Sequence, residues 1–423
     1  MIHHDKLGRE CPVILGYDAI SPLGTDLESQ WQHAVTGESG IGPLTRFPVS
    51  PHFPVKIAGQ VPHIDTTPYP FLTSRDMAQW TSPVFKHAML VVHRALIQSG
   101  IEITPDLAPR VAITFSSAIG GLDATLRADR LLMTEGKLPH PFTNPNSCIN
   151  MVGGKISIMT GATGPLVSTI TACSTGCTSI IIGALFLEQN LADLVICGAV
   201  DFPLVEPIVA GFATMNGAYR PKEDQNADDN PAKASRPFSI NRRGFVVSEG
   251  AGCIILARRN FANAHGLKPE IELAGYAMTG DAHHFVAPNL DTIQSTIGKS
   301  IAEAGLNPSA IDAINAHGTS TKIGDKTEWQ ALRNTFGTNI PPVSANKSQI
   351  GHAMGASSAL ETILAIEGMK KGYILPTINY TEDPELPLDC VPEGARVLSQ
   401  EYVLKNSFGF GGCNACVVLH RIH

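Results

Sequence analysis

The sequence lacks any apolar stretch long enough to cross a membrane. Its richest apolar run, SIIIGALFL at residues 179–187, ends at Glu188 and has about half of the ~20 residues that a membrane-spanning helix needs. The opening segment, MIHHDKLGRECPVILGY, also lacks the apolar core that follows the charged residues of a secretory signal. We therefore expect a cytoplasmic protein that has no membrane span.

An excess of positive charge is missing as well. The chain has 31 Lys and Arg residues against 38 Asp and Glu residues, which gives a formal net charge of −7. Such a chain is not attracted as a whole to nucleic acids or anionic membranes, although a local basic patch is compatible with it. With 423 residues, 43% of them hydrophobic, the chain can bury a large core in two domains or two fused halves.

The cysteines do not form an evident disulfide framework or metal site. There are nine of them, an odd number in a chain without a secretory signal, which favours reduced thiols. The one CxxC motif, CNAC at residues 413–416, has no second pair and continues into apolar residues, which favours a strand over a metal or redox site. We predict neither a metal nor a cofactor.

Strand and helix patterns alternate along the chain. Residues 165–171, 174–190 and 191–200 read as a buried strand, a helix and another buried strand, which predicts a right-handed crossover in a parallel sheet. The polar segment 217–243 is typical of a surface loop. The pattern restarts near residue 270, and both halves run strand, helix, strand in similar order, which indicates a duplicated α/β fold with one site between the halves.

Three further segments have readable patterns. Residues 110–122 are expected to form a strand that ends in a loop of small residues. Residues 144–161 are expected to form one helix that packs closely through its glycines. Residues 244–260 are expected to form a pair of strands.

Four short stretches carry reactive side chains. They are TACSTGC with Cys173, NAHGTSTKIGD with His317, NKSQIGHAMGASS with Lys347 and His352, and NSFGFGGCN with Phe410. Each lies where a predicted strand ends, and small neighbouring residues let the backbone approach a ligand closely. Ligands of open α/β sheets bind at such strand ends. A thiol at a strand-to-helix junction is either a small buried hydrophobic group or a nucleophile whose pKa the helix N-terminus lowers, and the local sequence does not decide between them.

Together and in this order, these motifs resemble those of the β-ketoacyl-acyl carrier protein synthases of the thiolase superfamily, the condensing enzymes of fatty acid and polyketide assembly. The resemblance runs from GYDAISPLG (16–24) to NSFGFGGCNACVVL (406–419) and includes SRPFSINRRGFVVSEGAG (235–252). The synthase II type and the type II polyketide ketosynthases are the most similar subgroups.

The resemblance implies a thiolase-like α/β fold, in which two duplicated βαβαβ halves form a five-layered α-β-α-β-α core. Residues 1–260 would form the half with the nucleophilic cysteine and the dimer interface. Residues 261–423 would form the half with the two histidines, the lysine and the GFGG loop.

The resemblance also implies roles for the reactive residues. Cys173 would accept an acyl chain from acyl carrier protein by transthioesterification. The backbone N–H groups of Cys173 and Phe410 would form an oxyanion hole. His317 and His352 would bind the malonyl thioester carbonyl, so that loss of CO₂ leaves a stabilised enolate that attacks the acyl-cysteine. Lys347 would form a buried ion pair with Glu328 that holds the hydrogen-bond network.

Further roles follow from the same resemblance. Thr319 and Thr321 would bind the pantetheine arm, and Phe410 would also gate the malonyl and acyl pockets. Ile119 would line the far end of the acyl pocket and help to set chain length.

The implied partner is an acyl carrier protein bearing an acyl or malonyl phosphopantetheine. Because carrier proteins are acidic, a basic patch is expected around the tunnel mouth. Arg75 and Lys137 match basic docking positions, and Arg127 and Arg130 lie nearby in sequence. Asn216 stands near a position that is often Arg, which favours a dedicated carrier protein.

Three sites depart from the pattern of the family. Ser248 stands where Gly is common, and Cys413 stands where Thr is common. SSALE, residues 357–361, replaces a stretch richer in Ala and Gly. We expect these changes to affect substrate range more than chemistry.

Several alternatives remain open. The default assembly is a homodimer, and the alternative is a heterodimer with a chain-length-factor-like subunit, in which the chain is the ketosynthase of a polyketide system. A thiolase acting on CoA thioesters is disfavoured because His317 is present and the GFGG loop carries Phe410. A non-catalytic chain-length factor or a lipid-binding protein is disfavoured by the retained Cys173, His352 and Lys347.

Overall fold

The structure is a computed structural model that describes residues 10–219 and 230–422. Its strands are β1 (Val13–Ile20), β2 (Ile41–Pro43), β3 (Ile57–Gly59), β4 (Val111–Ile113), β5 (Leu194–Asp201), β6 (Gly250–Ala257), β7 (Ile271–Gly280), β8 (Ala313–Asn315), β9 (Val343–Ser344), β10 (Tyr373–Ile374), β11 (Arg396–Val397), β12 (Tyr402–Gly409) and β13 (Cys413–Arg421). Its helices are α1 (Leu27–Val35), α2 (Pro83–Ser99), α3 (Leu122–Glu135), α4 (Thr143–Ser147), α5 (Asn150–Thr160), α6 (Thr175–Glu188), α7 (Glu206–Thr214), α8 (Arg259–Ala264), α9 (Leu290–Glu303), α10 (Lys322–Phe336), α11 (Lys347–Ile350) and α12 (Met354–Lys371).

Nine strands form one sheet in the order β4-β5-β6-β1-β7-β13-β12-β8-β9. In the first half, β4 is parallel to β5, while β6 is antiparallel to both β5 and β1. In the second half, β8 is parallel to β12, while β13 is antiparallel to both β12 and β7. The two halves therefore share one topology, and they join where β1 pairs with β7. This confirms the predicted duplication.

The strand predicted over residues 165–171 is reduced to a single bridge between Leu166 and Ile113. It occupies the position that β9 occupies in the second half. Ile113 donates its N–H to the carbonyl of Pro165 and accepts from the N–H of Val167. The ladder goes no further because Pro165 has no N–H to donate and β4 has only three residues.

Two helices lie between the half-sheets. Helix α6 packs against β4, β5 and β6 on one side and against β7 and β13 on the other, and α12 likewise contacts strands of both halves. Helix α2 covers the outer face of the first half-sheet, and α9 with α10 covers the second. These are the five predicted layers. The close crossing of α6 and α12 requires Gly176, because a Cβ there would lie 2.5 Å from the backbone nitrogen of Ala359.

Several local predictions are wrong. The segment 144–161 forms two helices, α4 and α5, instead of one. Of the strand pair predicted over 244–260, only β6 is a strand. Within residues 110–122 the predicted strand forms as β4 and the predicted loop of small residues follows it, but helix α3 after that loop was not anticipated.

The segment 217–243 is not simply a surface loop. Residues 220–229 of this prediction lie outside the described part of the chain. Phe238 and Ser239 are fully buried, because the Phe238 N–H donates to the buried Asp325 carboxylate at 2.7 Å. In the described ranges 10–219 and 230–422, no helix has the length and apolarity to cross a bilayer.

Candidate active site

The thiol of Cys173 lies at a tight turn directly before α6. A single 3₁₀ turn, Ala172–Ser174, leads into the helix, and Ala172 has φ 50°, in the left-handed region that is uncommon for residues other than glycine. Such backbone strain clusters at functional sites. Ser407 supports the turn by donating its hydroxyl to the Cys173 carbonyl at 3.2 Å. Gly409 passes so close that a Cβ would lie 2.2 Å from the Thr171 carbonyl oxygen.

His352 is the direct partner of Cys173. Its Nε2 lies 3.1 Å from Cys173 Sγ, and its Nδ1 lies 2.9 Å from the hydroxyl of Ser357. The backbone of His352 is fixed by a 2.7 Å bond from its N–H to the Val246 carbonyl and by a 2.9 Å bond from the Ser248 N–H to its own carbonyl. The imidazole is therefore held in hydrogen-bond reach of the thiol.

The pKa of the thiol differs from the sequence-based expectation. Burial raises the pKa of Cys173 to about 11, although the charge of Lys347 and the N–H groups of Phe410 and of Cys173 itself lower it. Desolvation of the thiolate outweighs these favourable interactions because the turn is enclosed by loops of both halves. The resting group is a neutral thiol, and its reaction needs a proton acceptor such as His352 Nε2.

His317 lies beside this pair. The ring centroids of His317 and His352 are 5.8 Å apart. Burial, followed by the charge of Lys347, holds the pKa of both imidazoles well below the usual range, so both are neutral. Within the described residues, Nδ1 of His317 is buried without a hydrogen-bond partner. Such atoms are rare, and this one offers a polar contact to a substrate.

The predicted pairing of Lys347 with Glu328 is wrong. Lys347 Nζ lies 2.5 Å from Glu361 Oε1 and donates to the His317 carbonyl at 2.7 Å. Glu328 instead accepts the N–H groups of His317 and Gly318, each at 2.8 Å, so its carboxylate is occupied by the backbone. Sequence reasoning missed Glu361, although an acidic residue inside the apolar stretch of α12 was a usable signal.

The two predicted pantetheine-binding threonines adjoin His317. Their hydroxyl oxygens, Oγ1 of Thr319 and of Thr321, lie 2.9 Å apart. Asp325 accepts the N–H groups of Thr319 and Ser320 at 3.0 and 3.1 Å. Burial raises the pKa of Asp325 to about 7. The carboxylates of Glu328 and Asp325 therefore fix the backbone of the HGTST loop by accepting its N–H groups.

Ile119 lies on the loop after β4, and its N–H donates to Asp201 at 2.9 Å. Its side chain packs against an apolar cluster that includes Phe245, whose ring centroid is 5.3 Å from that of His352. We call this cluster the apolar lining; it also contains Leu44, Phe47, Phe53, Val55, Ala58, Ala118, Leu204, Val209, Phe212, Ala213, Ala218, Val247 and Met354. Apolar contacts therefore connect the side chain of Ile119 with Phe245, which lies beside the His352 ring.

The four predicted docking residues have different surroundings. Arg75 is exposed, and the exposed Lys137 pairs with Glu135 at 2.6 Å. Arg127 and Arg130 line a cleft of about 880 Å³ that is bounded by α2, α3 and the start of α7. Both are ion-paired, Arg127 with Asp123 at 2.5 Å and Arg130 with Glu206 at 2.6 Å. Asn216 is exposed.

The departures from the expected pattern reach the catalytic residues. Ser248 donates its hydroxyl to the Ile350 carbonyl at 2.6 Å, and the Cys413 carbonyl accepts from Ser174 at 2.8 Å. Ser357, in the SSALE stretch, contacts the His352 imidazole, so this departure reaches a candidate catalytic side chain, and its effect on substrate range stays a prediction. Cys413 lies three residues from Cys416 in β13, so their side chains point to opposite faces of the sheet.

Comparison with known proteins gives a consistent result. The beta-ketoacyl synthase N-terminal domain profile matches residues 12–262, and the C-terminal domain profile matches residues 271–381. The chain is 36% identical over 416 residues to a 3-oxoacyl-[acyl-carrier-protein] synthase 2 of Coxiella burnetii, and the match covers 97% of this chain and 98% of that one.

Two solved structures are similar over the whole chain. A beta-ketoacyl synthase from Burkholderia phymatum gives a TM-score of 0.89 at 27% identity, covering 98% of this chain and 100% of that one. The ishigamide ketosynthase/chain length factor gives 0.87 at 29% identity, covering 98% and 99%. The protein belongs to the beta-ketoacyl synthase family.

Proposed function

We propose that the protein is a β-ketoacyl-acyl carrier protein synthase of fatty acid or polyketide chain elongation. It transfers an acyl group from a carrier protein to Cys173 and condenses that group with a malonyl thioester, releasing CO₂. The 3.1 Å contact between Cys173 Sγ and His352 Nε2 at the start of α6 carries this proposal. The relative from Coxiella burnetii is named for the same reaction.

In the first half-reaction, Cys173 Sγ attacks the acyl thioester carbonyl and its proton passes to His352 Nε2. The developing oxyanion accepts hydrogen bonds from the N–H groups of Cys173 and Phe410, both of which already point at the sulfur. The carrier thiolate leaves and takes the proton from His352. The acyl chain then extends along the apolar lining towards Ile119.

In the second half-reaction, neutral His317 and His352 donate N–H groups to the malonyl thioester oxygen. The bond to the malonyl carboxylate breaks, CO₂ leaves, and the electron pair forms an enolate whose oxygen the two imidazoles stabilise. The enolate carbon attacks the acyl-cysteine carbonyl, the carbon–sulfur bond to Cys173 breaks, and the released thiolate takes a proton from water. Thr319 and Thr321 bind the pantetheine arm, and Phe410 separates the two pockets.

The rotatable hydroxyl of Ser357 suits both half-reactions. When it accepts from His352 Nδ1, Nε2 is free to take the thiol proton. When it donates to Nδ1, Nε2 carries a proton and can donate to the thioester oxygen. One contact thus permits both tautomers of the same imidazole.

Intact-mass spectrometry after mixing with acyl carrier proteins of varied chain length tests the proposal. Wild type is expected to gain one acyl mass, and Cys173→Ala is expected to gain none. Cys148→Ala is the matched control, because Cys148 is exposed and its loss should leave acylation unchanged. Acylation of Cys173→Ala, or none of wild type with any carrier, would contradict the proposal.

A second candidate function is that of the ketosynthase subunit of a type II polyketide system. The solved ketosynthase/chain length factor at 29% identity supports it.

Leu166, Val167 and Ile170 are 38–49% exposed on the open edge beside β4, as expected for a surface that a partner covers. We propose a homodimer through this edge, with the heterodimer as its alternative. Mass photometry of the chain alone and co-expressed with such a subunit distinguishes them.

We extend the proposal to the domains, the partner and the compartment. Residues 1–260 and 261–423 are the two functional halves, and the carrier protein docks at Arg75, Arg127, Arg130 and Lys137. The nine cysteines, all of them free, support a cytoplasmic location.

A further inference from the structure

Lys405 is a fully buried lysine in the middle of β12. Side chains alternate along a strand, so Lys405 shares a face with Val403 and Ser407, which face the central helices. Its Nζ lies 2.6 Å from Glu361 Oε2, 2.6 Å from the Asn406 carbonyl and 3.5 Å from the Ala316 carbonyl. An ammonium has three donors, and all three have acceptors here.

Glu361 is shared between two lysines. Its Oε1 binds Lys347 at 2.5 Å and its Oε2 binds Lys405 at 2.6 Å. All three side chains are 0–1% exposed, so these two ammonium groups and one carboxylate together carry one net positive charge in the buried interior. Such a charge is costly to bury. Neither fold nor sheet pairing requires a lysine at this position of a strand.

We propose that Lys405 is a positioning residue and the second buried cation of this site. It fixes Glu361, and through Glu361 it orients Lys347 and the His317 carbonyl. Its charge adds to the effects of burial and of Lys347 that favour the neutral forms of His317 and His352, which the condensation needs. The kinetic part of this inference rests on the proposed function, whereas the electrostatic part does not.

The electrostatics of the site support this role. The charge of Lys405 lowers the pKa of both histidines, after the larger effects of burial and Lys347, and for His317 also after that of His352. Of the other titratable groups nearby, the Cys173 thiol contacts His352 Nε2 and the two histidine rings lie edge to face. Glu328 accepts the backbone N–H of His317, and Glu361 binds Lys347 and Lys405. Removal of Lys405 leaves the neutral pair of Lys347 with Glu361, so a variant without this charge is expected to fold.

Two variants separate charge from hydrogen bonding. Lys405→Met removes both, and Lys405→Gln keeps donors while it removes the charge. Lys371→Met removes a partly exposed lysine at the end of α12 and serves as control. The first readout is NMR of ¹³Cε1-labelled histidine, assigned with His317→Gln and His352→Gln and followed against pH. It requires no substrate.

We expect both Lys405 variants to raise the pKa values of the two histidines, because a nearby like charge is lost. Because the neutral imidazoles are the active form, the acid limb of the condensation rate should move to higher pH by the same amount. Lys371→Met should match wild type. Unchanged histidine titrations in folded Lys405→Met would overturn the inference, whatever the turnover. If wild type does not catalyse the condensation, the proposed function is refuted. The NMR titration then still tests the electrostatic role of Lys405, because it needs no substrate.

Discussion

The two halves of the molecule share a strand order but place different chemistry on equivalent loops. After β4 the first half carries Ile119, whereas after β8 the second half carries His317. After the segment 165–171 the first half carries Cys173 and α6, whereas after β9 the second half carries Lys347 and α12. The first half thus supplies the proposed nucleophile and the apolar lining, and the second half supplies the polar groups that we propose to stabilise charge. Duplication brings two differently specialised copies of one loop set to a shared site.

The two halves also stabilise their parts of the site differently. The first half relies on packing, with Ile119 and Phe212 in the apolar lining. The second half relies on buried ions, with Glu361 between Lys347 and Lys405. Packing defects are graded, whereas an unpaired buried charge has a large effect. Substitutions should therefore be tolerated better in the first half than in the second.

The largest effect is expected for Glu361→Gln. It removes the one carboxylate that pairs with Lys347 and Lys405, and loss of one partner of a buried ion pair lowers the free energy of unfolding by about 3–5 kcal/mol. Urea denaturation measures this. Glu385→Gln is the control, since that glutamate is 77% exposed beside Lys326 and its loss should have an effect of less than about 1 kcal/mol. Equal effects of the two variants would show that the buried ion cluster does not stabilise the second half.

The next effect tests the contact between the halves. Gly409→Ala places a Cβ 2.2 Å from the Thr171 carbonyl oxygen and 3.3 Å from the Cys173 nitrogen, so the turn that carries the thiol must shift. A displacement of about 1 Å is enough for a ~100-fold loss of rate. The acylation rate from stopped-flow or quenched mass spectrometry measures it. Gly280→Ala, with no atom within 4 Å of its added Cβ, should acylate normally.

The first half alone is tested by Ile119→Phe. The larger ring should fill the far end of the apolar lining, so long acyl chains lose about 10-fold or more in acylation rate relative to short ones. Decarboxylation of malonyl carrier protein, which uses His317 and His352, should stay within about twofold of wild type. Competition between long and short acyl carriers, read by mass, measures the ratio. An equal loss of acylation rate for long and short acyl chains would contradict a role of Ile119 in setting chain length.

How far the sequence could predict this arrangement depends on the kind of signal. Cys173 and His352 stand in motifs at strand ends, so their meeting was predictable, and the geometry puts them 3.1 Å apart. Glu361 and Lys405 were missed because each stands alone inside an apolar element, where a charged residue has no partner nearby in sequence. Their pairing exists only once α12 packs against β12.

The thiol pKa was misjudged for a related reason. A helix start is visible in sequence, whereas the desolvation that raises the pKa of Cys173 comes from loops of both halves that close over it. The strand predicted at residues 165–171 does not form for a related reason. Its neighbour β4 has only three residues, too few to extend the ladder of hydrogen bonds. Local pattern thus predicts which groups reach the site, and long-range packing determines their charge states.

The smallest effect is expected for Ser357→Ala. This variant removes the 2.9 Å contact of its hydroxyl with His352 Nδ1, and loss of one such hydrogen bond has an effect of about 1 kcal/mol, or roughly fivefold in rate. Both half-reactions should slow, because the hydroxyl serves one tautomer of His352 in each. Ser358→Ala is the control, since Ser358 contacts the N–H of Cys177 instead of the histidine. If only acylation slows, the hydroxyl acts as an acceptor alone. If only decarboxylation slows, it acts as a donor alone, and either result would assign Ser357 to one half-reaction and overturn its proposed dual role.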